Sequence, residues 1–407
     1  MKTFSVLSAL SALAATVLAQ DRLLSQVGKP DFGDEFGPEL SVEHLYHDLF
    51  PAGVAVTESG RKFSTFPRGP GNKYTLAELV DLDTEEPFPS LEANTLPSFE
   101  NASNPGYSSA YDDLLVSCQG IAVDAEDRVW VMDTGRAGGA QLQAWGGKIL
   151  AYETGPDASR EPVEKIFLSP DVAFPSTYLN DLRVDLTKNE KGVIYITDSS
   201  DEGRTGIIVV DIATGNAWRH LDSHPSTRPD ADAVFAFKGQ SVYATSDSNK
   251  GFWTTGIDGI SLSADGEWMY YTPMTSRKLF RVPTEKLRVM PDTANTNAKH
   301  DASAAVEYLG QKGSLNDGMD TDSNGLIYFG APEQDGVQTY DPETGLFNDL
   351  VYNHHITWPD GLSIASGKLY FVDNQFYLQD RFWNGTDRTV KPYALYSIEI
   401  DGTSAHM

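Results

Sequence analysis

Polar side chains recur along this chain where short alternating strands begin, and these are the residues that could carry chemistry. Each comes directly before a run in which every second residue is apolar, and each offers a carboxylate or amide oxygen. They are Gln119, Asn180, Asp258, the neighbours Asn316 and Asp317, and Asp360. Such oxygens are hard ligands that suit Ca²⁺ or Mg²⁺, and a carboxylate can also exchange a proton with a bound organic molecule.

Three of these residues are aspartates, and they are the candidates for acid and base chemistry. If the fold brings Asp258, Asp317 and Asp360 together, their mutual repulsion raises the pKa of at least one carboxyl group and supplies a base. Arg136 is a candidate for holding a developing oxyanion or enolate, although an ion pair with Asp133 is the simpler role. These three aspartates and Arg136 are the predicted catalytic residues.

Aromatic residues near the same positions suit the wall of a binding pocket. A cation over an aromatic face gains about 0.5 to 2 kcal/mol, so an ammonium group could be held between a ring and an acid. The predicted ligand-binding residues are Gln119, Asn180, Asn316, Tyr178, Trp253, Phe376 and Tyr377. For a metal, with Ca²⁺ as the candidate cofactor, they are Asn180, Asp258, Asn316 and Asp360. The alternative is structural, because Asn and Asp side chains often cap turns and bond to neighbouring backbone.

A repeated cassette must position these residues. Each copy has a polar residue, a short alternating strand, a tight acidic turn and a second strand built around Tyr or Trp, as in residues 119–133 and 180–198. Further copies begin at Asp258, Asn316 and Asp360, and a fainter first copy begins at Gly53. A third strand follows most copies, so the pattern indicates antiparallel meanders. Repetition at this length predicts an all-β fold, a six-bladed β-propeller with four-stranded antiparallel blades.

The innermost strand of each blade lines the channel of a propeller. The polar residue that opens each cassette is therefore expected at the mouth of that channel. Neighbouring strand residues point to opposite faces, so only one of Asn316 and Asp317 can face inward.

The N-terminus predicts export. Residues 1–19 contain one lysine, an apolar run and a small-residue end, which is typical of a signal peptide cleaved before Gln20. Residues 20–407 are then expected to form a single propeller domain. Sequons at Asn101 and Asn384 suit a glycosylated, extracellular protein.

Charge and missing motifs exclude several classes of function. The formal net charge of −27 argues against nucleic acid and anionic membranes as partners and leaves small molecules, such as an amine or a phenol. The single cysteine, Cys118, allows no intrachain disulfide and is expected to be a buried, inert thiol. The chain has no Gly-x-Ser-x-Gly, His-Glu-x-x-His or phosphate-binding glycine motif.

Several blocks resemble the major royal jelly protein and Yellow family. They are residues 53–56 with 60–63 and 66–68, residues 129–135, residues 195–198 with 208–211 and 218–219, and, most specifically, residues 256–263 with 270–273 and 279–284. Members of this family include storage proteins, binders of amines or lipids and enzymes of pigment chemistry. The resemblance therefore implies a propeller, and dopachrome-like tautomerisation is the leading reaction if the protein is an enzyme.

A more distant likeness to gluconolactonase and senescence-marker propellers implies a different chemistry. In those proteins Asn and Asp oxygens hold a catalytic cation, and the first blade contributes a Glu. Here residues 51–54 are Pro-Ala-Gly-Val, with no carboxylate, which weakens the case for lactone hydrolysis.

Three functions fit these observations. The first is a secreted propeller that binds a small organic molecule at the channel mouth and could isomerise or tautomerise a cyclic or phenolic metabolite. The second is a divalent-cation-dependent, lactonase-like hydrolase. The third is a non-catalytic structural or storage protein, so the sequence leaves open whether the protein is an enzyme.

Overall fold

The computed structural model describes residues 35–69, 72–96, 111–137, 141–142, 144–202, 204–246 and 249–406. The chain divides into two units, Met1–Phe36 and Gly37–Met407. In the first unit the described residues form one short strand, Glu35–Phe36. The predicted signal peptide and the sequon at Asn101 lie outside the described residues, whereas Asn384 lies in an exposed loop.

The second unit confirms the predicted fold, a β-propeller of six four-stranded antiparallel blades. Blade 1 contains strands Val54–Val56, Lys62–Thr65, Leu76–Leu79 and Glu85–Pro87. Blade 2 contains Cys118–Val123, Arg128–Asp133, Lys148–Glu153 and Glu164–Phe167. Blade 3 contains Leu179–Asp185, Val193–Asp198, Gly206–Asp211 and Ala217–His220.

The remaining blades follow the same order, with one exception in blade 6. Blade 4 contains Ile257–Leu262, Trp268–Pro273, Lys278–Pro283 and Glu307–Gln311. Blade 5 contains Met319–Thr321, Ile327–Ala331, Gly336–Asp341 and Leu346–Asn353. Blade 6 contains Pro359–Ala365, Lys368–Asp373, Tyr393–Glu399 and Ser41–Tyr46.

Blade 6 closes the ring with a strand from the other end of the unit. Ser41–Tyr46 pairs antiparallel with Tyr393–Glu399, so the outermost strand of the last blade precedes blade 1 in the chain. The cassette pattern does not predict this strand, because it has no hairpin partner next to it in the sequence. Pairing between distant strands joins the two ends of the propeller without a disulfide.

Apolar side chains fill the spaces between neighbouring blades. Trp130 and Ile149 of blade 2 pack against Leu182 and Ile194 of blade 3 in one such cluster. Strands such as Val193–Asp198 and Ile257–Leu262 are buried along their whole length, so successive side chains pack against the blades on both sides. Cys118 is buried in the adjoining cluster, and burial raises the pKa of its thiol, in agreement with an inert cysteine.

Two insertions lie beside the inner strands and were not predicted. Between blades 3 and 4 the chain forms two hairpins, with strands Ala236–Phe237, Gln240–Ser241, Tyr243–Ser246 and Asn249–Phe252. Within blade 6 a loop carries the 3-10 helices Phe376–Leu378 and Asp380–Phe382. Apolar residues of both insertions form one cluster, which includes Phe237, Tyr377 and Phe382.

Helices are few and short in the part of the chain that the structure describes. The α-helices there are Thr284–Leu287 and Ala298–Ala304, and further 3-10 helices are Pro225–Thr227 and Pro332–Gln334. Among the helices of the described residues, none has the length and apolar character needed to cross a membrane.

Candidate functional site

In blades 2, 3, 4 and 6 the polar residue of the cassette lies within the first strand, at a β-bulge, whereas Asp317 of blade 5 lies just before its strand, Met319–Thr321. In blade 4 the pairing register shifts between Ile257 and Ile260, and the two residues between them are Asp258 and Gly259. Blades 2, 3 and 6 show the same shift at the equivalent place. A bulge redirects a side chain out of the regular alternation. It is therefore the bulge that turns the polar side chain toward the channel.

The glycine that follows the polar residue allows neighbouring blades to approach closely. A Cβ on Gly259 would stand 2.3 Å from the carbonyl oxygen of Asp317 in the next blade, and a Cβ on Gly120 would stand 2.3 Å from that of Asn180. No other side chain fits there without movement of the backbone. The polar residue and the glycine after it thus have different roles. The bulge turns the polar side chain toward the channel, and the glycine leaves room for the first strand of the neighbouring blade.

A second recurring contact holds the segment before each first strand. The aspartate that ends the second strand of the blade accepts backbone N–H groups from that segment. Asp133 accepts from Val116 and Ser117, at 2.7 and 2.9 Å, and Asp373 accepts from Thr357 and Trp358 at 2.8 and 2.5 Å. These aspartates are structural, which explains why they recur in the cassette without facing the channel.

The inner strands and the two insertions enclose a cavity of about 320 Å³ at one end of the channel. Eight of the predicted site residues line it: Gln119, Tyr178, Asn180, Trp253, Asp258, Asp317, Asp360 and Phe376. Of the neighbours Asn316 and Asp317, only Asp317 lines the cavity. The amide of Asn316 instead donates to the backbone oxygen of Asp317, at 3.0 Å.

The three predicted acidic residues form one hydrogen-bonded cluster. Asp317 lies between Asp258 and Asp360 and is within hydrogen-bonding reach of both side chains. Their exposed fractions are only 2% for Asp258, 5% for Asp317 and 8% for Asp360. Three carboxylates cannot all remain ionised in so small a buried volume, so the cluster must hold protons at neutral pH.

Burial and mutual repulsion raise the pKa values of the cluster, and two hydrogen-bond donors oppose this rise at Asp317 and Asp360. Burial, together with repulsion from Asp317, raises the pKa of Asp258 and of Asp360 well above the usual range. Burial also raises the pKa of Asp317, but the indole Nε1–H of Trp358 donates to its Oδ2 at 2.7 Å and favours the ionised form. Asn374 donates to Oδ2 of Asp360 at 2.5 Å. The pKa of Asp317 rises only to about 6, less than those of its two neighbours, so Asp317 is the acid of the cluster that ionises most readily.

Asp258 is the member of the cluster with a free acceptor. Its Oδ2 is buried and has no hydrogen-bond partner among the described residues. A buried carboxyl oxygen without a partner costs free energy, which a bound molecule that supplies a donor would recover. Asp258 thus lines the cavity and keeps one buried carboxyl oxygen without a hydrogen-bond partner in the described part of the chain.

The raised pKa values predict that stability falls as the pH rises. Carboxyl groups of an unfolded chain titrate near pH 4, whereas those of Asp258 and Asp360 titrate higher in the folded protein. Their contribution is fully present below the unfolded pKa and is lost as the pH rises through the folded pKa. We expect urea unfolding to show a lower free energy of unfolding at pH 8 than at pH 5, by about 1.4 kcal/mol per pH unit for each proton held only by the folded state.

An Asp258→Asn variant isolates the part of this effect that comes from Asp258. Asparagine does not titrate, so the difference in stability between pH 5 and pH 8 should become smaller. An unchanged difference would contradict the assigned pKa shift, since other buried acids would then account for the whole effect.

Aromatic rings form one wall of the cavity. Trp253 stacks on Phe376 with ring centroids 5.0 Å apart, and Phe376 stacks on Trp358 at the same distance. Tyr178 lies elsewhere in the lining, and its hydroxyl donates to Oε1 of Gln119 at 3.1 Å. The cavity therefore combines flat apolar surfaces with an acidic floor, an arrangement that suits a planar, polar ring.

Besides Asn316, two further predicted residues, Arg136 and Tyr377, lie outside the cavity lining. Arg136 donates to the backbone oxygens of Ser176 and Thr177 at 3.2 and 3.0 Å and pairs with Glu202 at 3.1 Å. The alternative role, an ion pair between Arg136 and Asp133, does not form, because Asp133 pairs with Lys148 instead. The guanidinium of Arg136 lies 5.7 Å from the ring centroid of Tyr178. Arg136 therefore packs against a residue of the cavity lining without lining the cavity itself.

Tyr377 also lies outside the cavity lining. Its ring is buried in the aromatic cluster and stacks on Phe237 of the first hairpin at 4.7 Å. The short helix that presents Phe376 to the cavity turns Tyr377 toward the insertion.

The sequence analysis missed the lining residues that come from loops. They include Phe50, Ser199, Asp201, Gln379, Arg381 and Phe382. Ser199 directly follows the aspartate that ends the second strand of blade 3, so its position in the cassette offered a signal. Arg381 and Phe382 belong to the blade 6 insertion, for which the repeated pattern offers none.

The residues present do not fit the cation implied by the lactonase likeness. The first blade contributes Ala52 where a carboxylate would be needed, and Asn316 does not line the cavity. Trp358 and Asn374 already donate to oxygens of Asp317 and Asp360. In the described ranges no group of three or more His, Cys, Asp or Glu side chains is arranged to hold a metal ion. We therefore derive no chemical step through a metal.

Comparison with known proteins points to one family. The model of the Major royal jelly protein family matches residues 116–389, about two thirds of the chain. Dopaminechrome tautomerase of Drosophila melanogaster is 24% identical over 346 residues, which cover 81% of this chain and 70% of that protein. Protein yellow of Drosophila yakuba is 23% identical over 408 residues, or 96% of this chain and 67% of that protein. Major royal jelly protein 1 of Apis mellifera is 28% identical over 194 residues, and the match spans only 41% of its length.

Solved structures support the fold. A luciferin-regenerating enzyme aligns with a TM-score of 0.52 and 11% identity, over 90% of this chain and 97% of that one. At this identity the similarity shows the propeller architecture and nothing about the reaction.

Proposed function

Because this chain belongs to the Major royal jelly protein family, we propose that its channel-mouth cavity binds a small cyclic or phenolic molecule and catalyses its tautomerisation. The observation that carries the proposal is the unpartnered Oδ2 of Asp258, in a cavity where a proton-holding aspartate cluster meets an aromatic wall. A relative with 24% identity is a dopaminechrome tautomerase, which gives the reaction class.

Tautomerisation moves a proton from carbon to a heteroatom, so it needs a base and an acid close to one ring. Oδ2 of Asp258 can accept the proton from carbon while the proton on its other oxygen moves to Asp317. The protonated Asp360 can supply a proton to the substrate oxygen and recover one from Asp317. The cluster then holds the same number of protons before and after the reaction, as a catalyst requires.

The surroundings favour this exchange. Trp358 and Asn374 fix the orientation of Asp317 and Asp360 through hydrogen bonds to one oxygen of each. Stacking between Trp253 and Phe376 offers a flat surface against which a conjugated ring can lie. Burial raises the pKa values of Asp258 and Asp360, so these acids can hold the protons that the exchange requires.

We also propose that the protein is exported. The features that support export are the signal-peptide pattern of residues 1–19 and the exposed sequon at Asn384. Secretion from a eukaryotic host, with the mass of the mature N-terminus measured, tests both the cleavage before Gln20 and the occupancy of the sequons.

The function is tested by adding the purified protein to freshly prepared dopaminechrome and following the visible absorbance of this coloured compound. We expect its decay to accelerate in proportion to protein concentration, with heat-denatured protein as the control. Because the residues do not fit a metal, the rate should be unchanged after treatment with EDTA. Loss of activity on chelation would favour the lactonase-like alternative, and binding without turnover would limit the function to ligand binding.

A further inference from the structure

Arg381 is a cation of the cavity lining without an anionic partner. In the part of the chain that the structure describes, no carboxylate lies within ion-pair distance of its guanidinium, and that group makes no hydrogen bond. Some arginines of this acidic chain form ion pairs, such as Arg277 with Glu333 at 2.6 Å and Arg219 with Asp198 at 2.9 Å, whereas Arg204 and Arg388 contact aromatic rings, as Arg381 does. Among the described residues Arg381 is the arginine that lines the cavity, which points to a role in recognition.

The surroundings of Arg381 leave its hydrogen-bonding edge free. Its guanidinium lies 4.1 Å from the ring centroid of Phe376 and 4.9 Å from that of Phe382, and both rings also line the cavity. Contact with aromatic rings occupies the flat face of a guanidinium and leaves the N–H donors at its edge available. The backbone is held in place, because Thr245 of the hairpin insertion donates to the carbonyl oxygen of Arg381 at 3.1 Å.

Ser199 supplies a second, independent donor in the same cavity. It is 3% exposed, and its hydroxyl has no hydrogen-bond partner among the described residues. Its backbone N–H donates to the carbonyl oxygen of Tyr178 at 3.0 Å, so the residue is fixed beside the cavity. A buried hydroxyl without a partner is costly, and a ligand oxygen would satisfy it.

We propose that Arg381 and Ser199 form a carboxylate subsite, so that the preferred substrates carry a carboxylate on the ring system that reacts at the aspartate cluster. This inference rests on the proposed function and specifies its substrate class. A carboxylate would be repelled by Asp317 and attracted by Arg381, which orients the ligand with its reactive C–H toward Asp258. Asp201 also lines the cavity and favours a cationic ligand, so the subsite selects a carboxylate only if Arg381 outweighs it.

Two pairs of probes that differ by one carboxylate test the subsite. L-DOPA and dopamine measure binding through the quenching of tryptophan fluorescence, and the aminochromes made from them measure turnover. We expect the wild-type protein to prefer the carboxylated member of each pair by about tenfold, the low end for a charged hydrogen bond because Arg381 is exposed. Arg381→Met should abolish the preference by weakening only the carboxylated probe, and Arg381→Lys should retain part of it.

Matched variants control for general effects. Arg388 belongs to the same insertion and contacts the ring of Trp383 at 3.8 Å, but it does not line the cavity. Arg388→Met should therefore leave both affinities unchanged. Ser199→Ala should reduce the preference about threefold, as expected for one neutral hydrogen bond.

The outcomes separate this inference from the proposed function. If L-DOPA binds more tightly than dopamine and Arg381→Met removes the difference, the subsite stands even when neither aminochrome is turned over. If the protein turns over aminochromes but shows no carboxylate preference, or keeps its preference in Arg381→Met, the subsite is wrong and the proposed function survives. Tighter binding of dopamine than of L-DOPA would also overturn the subsite, since Asp201 would then dominate.

Discussion

Replacing Asp258 with asparagine is expected to lower kcat/KM for tautomerisation by about 10²–10⁴-fold, the range for loss of a positioned acid or base. Asparagine keeps the size of the side chain but can neither accept the proton from carbon nor pass one to Asp317. Asp258 is the cluster member with an unpartnered oxygen at the cavity, so the loss should exceed any effect on binding. Initial rates across a range of aminochrome concentrations separate kcat from KM.

A matched aspartate controls for charge. Asp380 is exposed, belongs to the blade 6 insertion and does not line the cavity, so Asp380→Asn should retain wild-type activity. Asp258→Asn should also retain the wild-type circular dichroism spectrum, which shows that the propeller has folded. If the folded Asp258→Asn protein turns over its substrate at more than about a tenth of the wild-type rate, Asp258 does not transfer the proton.

Gly259→Ala is expected to destabilise the propeller by about 1–3 kcal/mol or more, the cost of forcing extra atoms into a packed site. The added Cβ would stand 2.3 Å from the backbone oxygen of Asp317, so blades 4 and 5 must separate. The same movement displaces Asp317 from Asp258, and activity should fall together with stability. Urea unfolding followed by tryptophan fluorescence gives the free energy, and the aminochrome assay gives the activity.

The control for this variant is another glycine. Gly155 lies in an exposed turn, with no atom within 4 Å of the place where a Cβ would stand, so Gly155→Ala should be almost neutral. If Gly259→Ala unfolds at the same urea concentration as Gly155→Ala, the close approach of blades 4 and 5 does not depend on the glycine. The account of how the aspartates are brought together would then need revision.

Much of the fold could be predicted because a propeller blade is a local structure. Strands such as Arg128–Asp133 and Lys148–Glu153 pair with neighbours in the sequence, so alternation and turn residues predict them. The closing strand, Ser41–Tyr46, lies next to the first blade in the chain but pairs with Tyr393–Glu399. No local pattern indicates that partner, since ring closure selects it.

The candidate site, like the fold, could be predicted only in part from the sequence. The aspartates were predicted because each stands at the start of a repeated cassette: Asp258 and Asp360 occupy a bulge of the first strand, and Asp317 lies just before the equivalent strand. Arg136 was predicted from its position beside a cassette, and its contacts with Ser176, Thr177 and Glu202 came from a neighbouring blade. A single sequence does not reveal such contacts between blades.

The sequence by itself determined the number of blades, the acidic residues at the channel and the kind of proton chemistry that they suit. These properties follow from residue types at a fixed spacing, because the local geometry of a strand determines the direction in which each side chain points. Only the tertiary structure decided that, within the described ranges, one oxygen of Asp258 has no partner, that Trp358 donates to Asp317 and that Arg381 lines the cavity without an ion pair. These properties depend on which groups from distant segments come within hydrogen-bonding range, and on how far burial removes water from them.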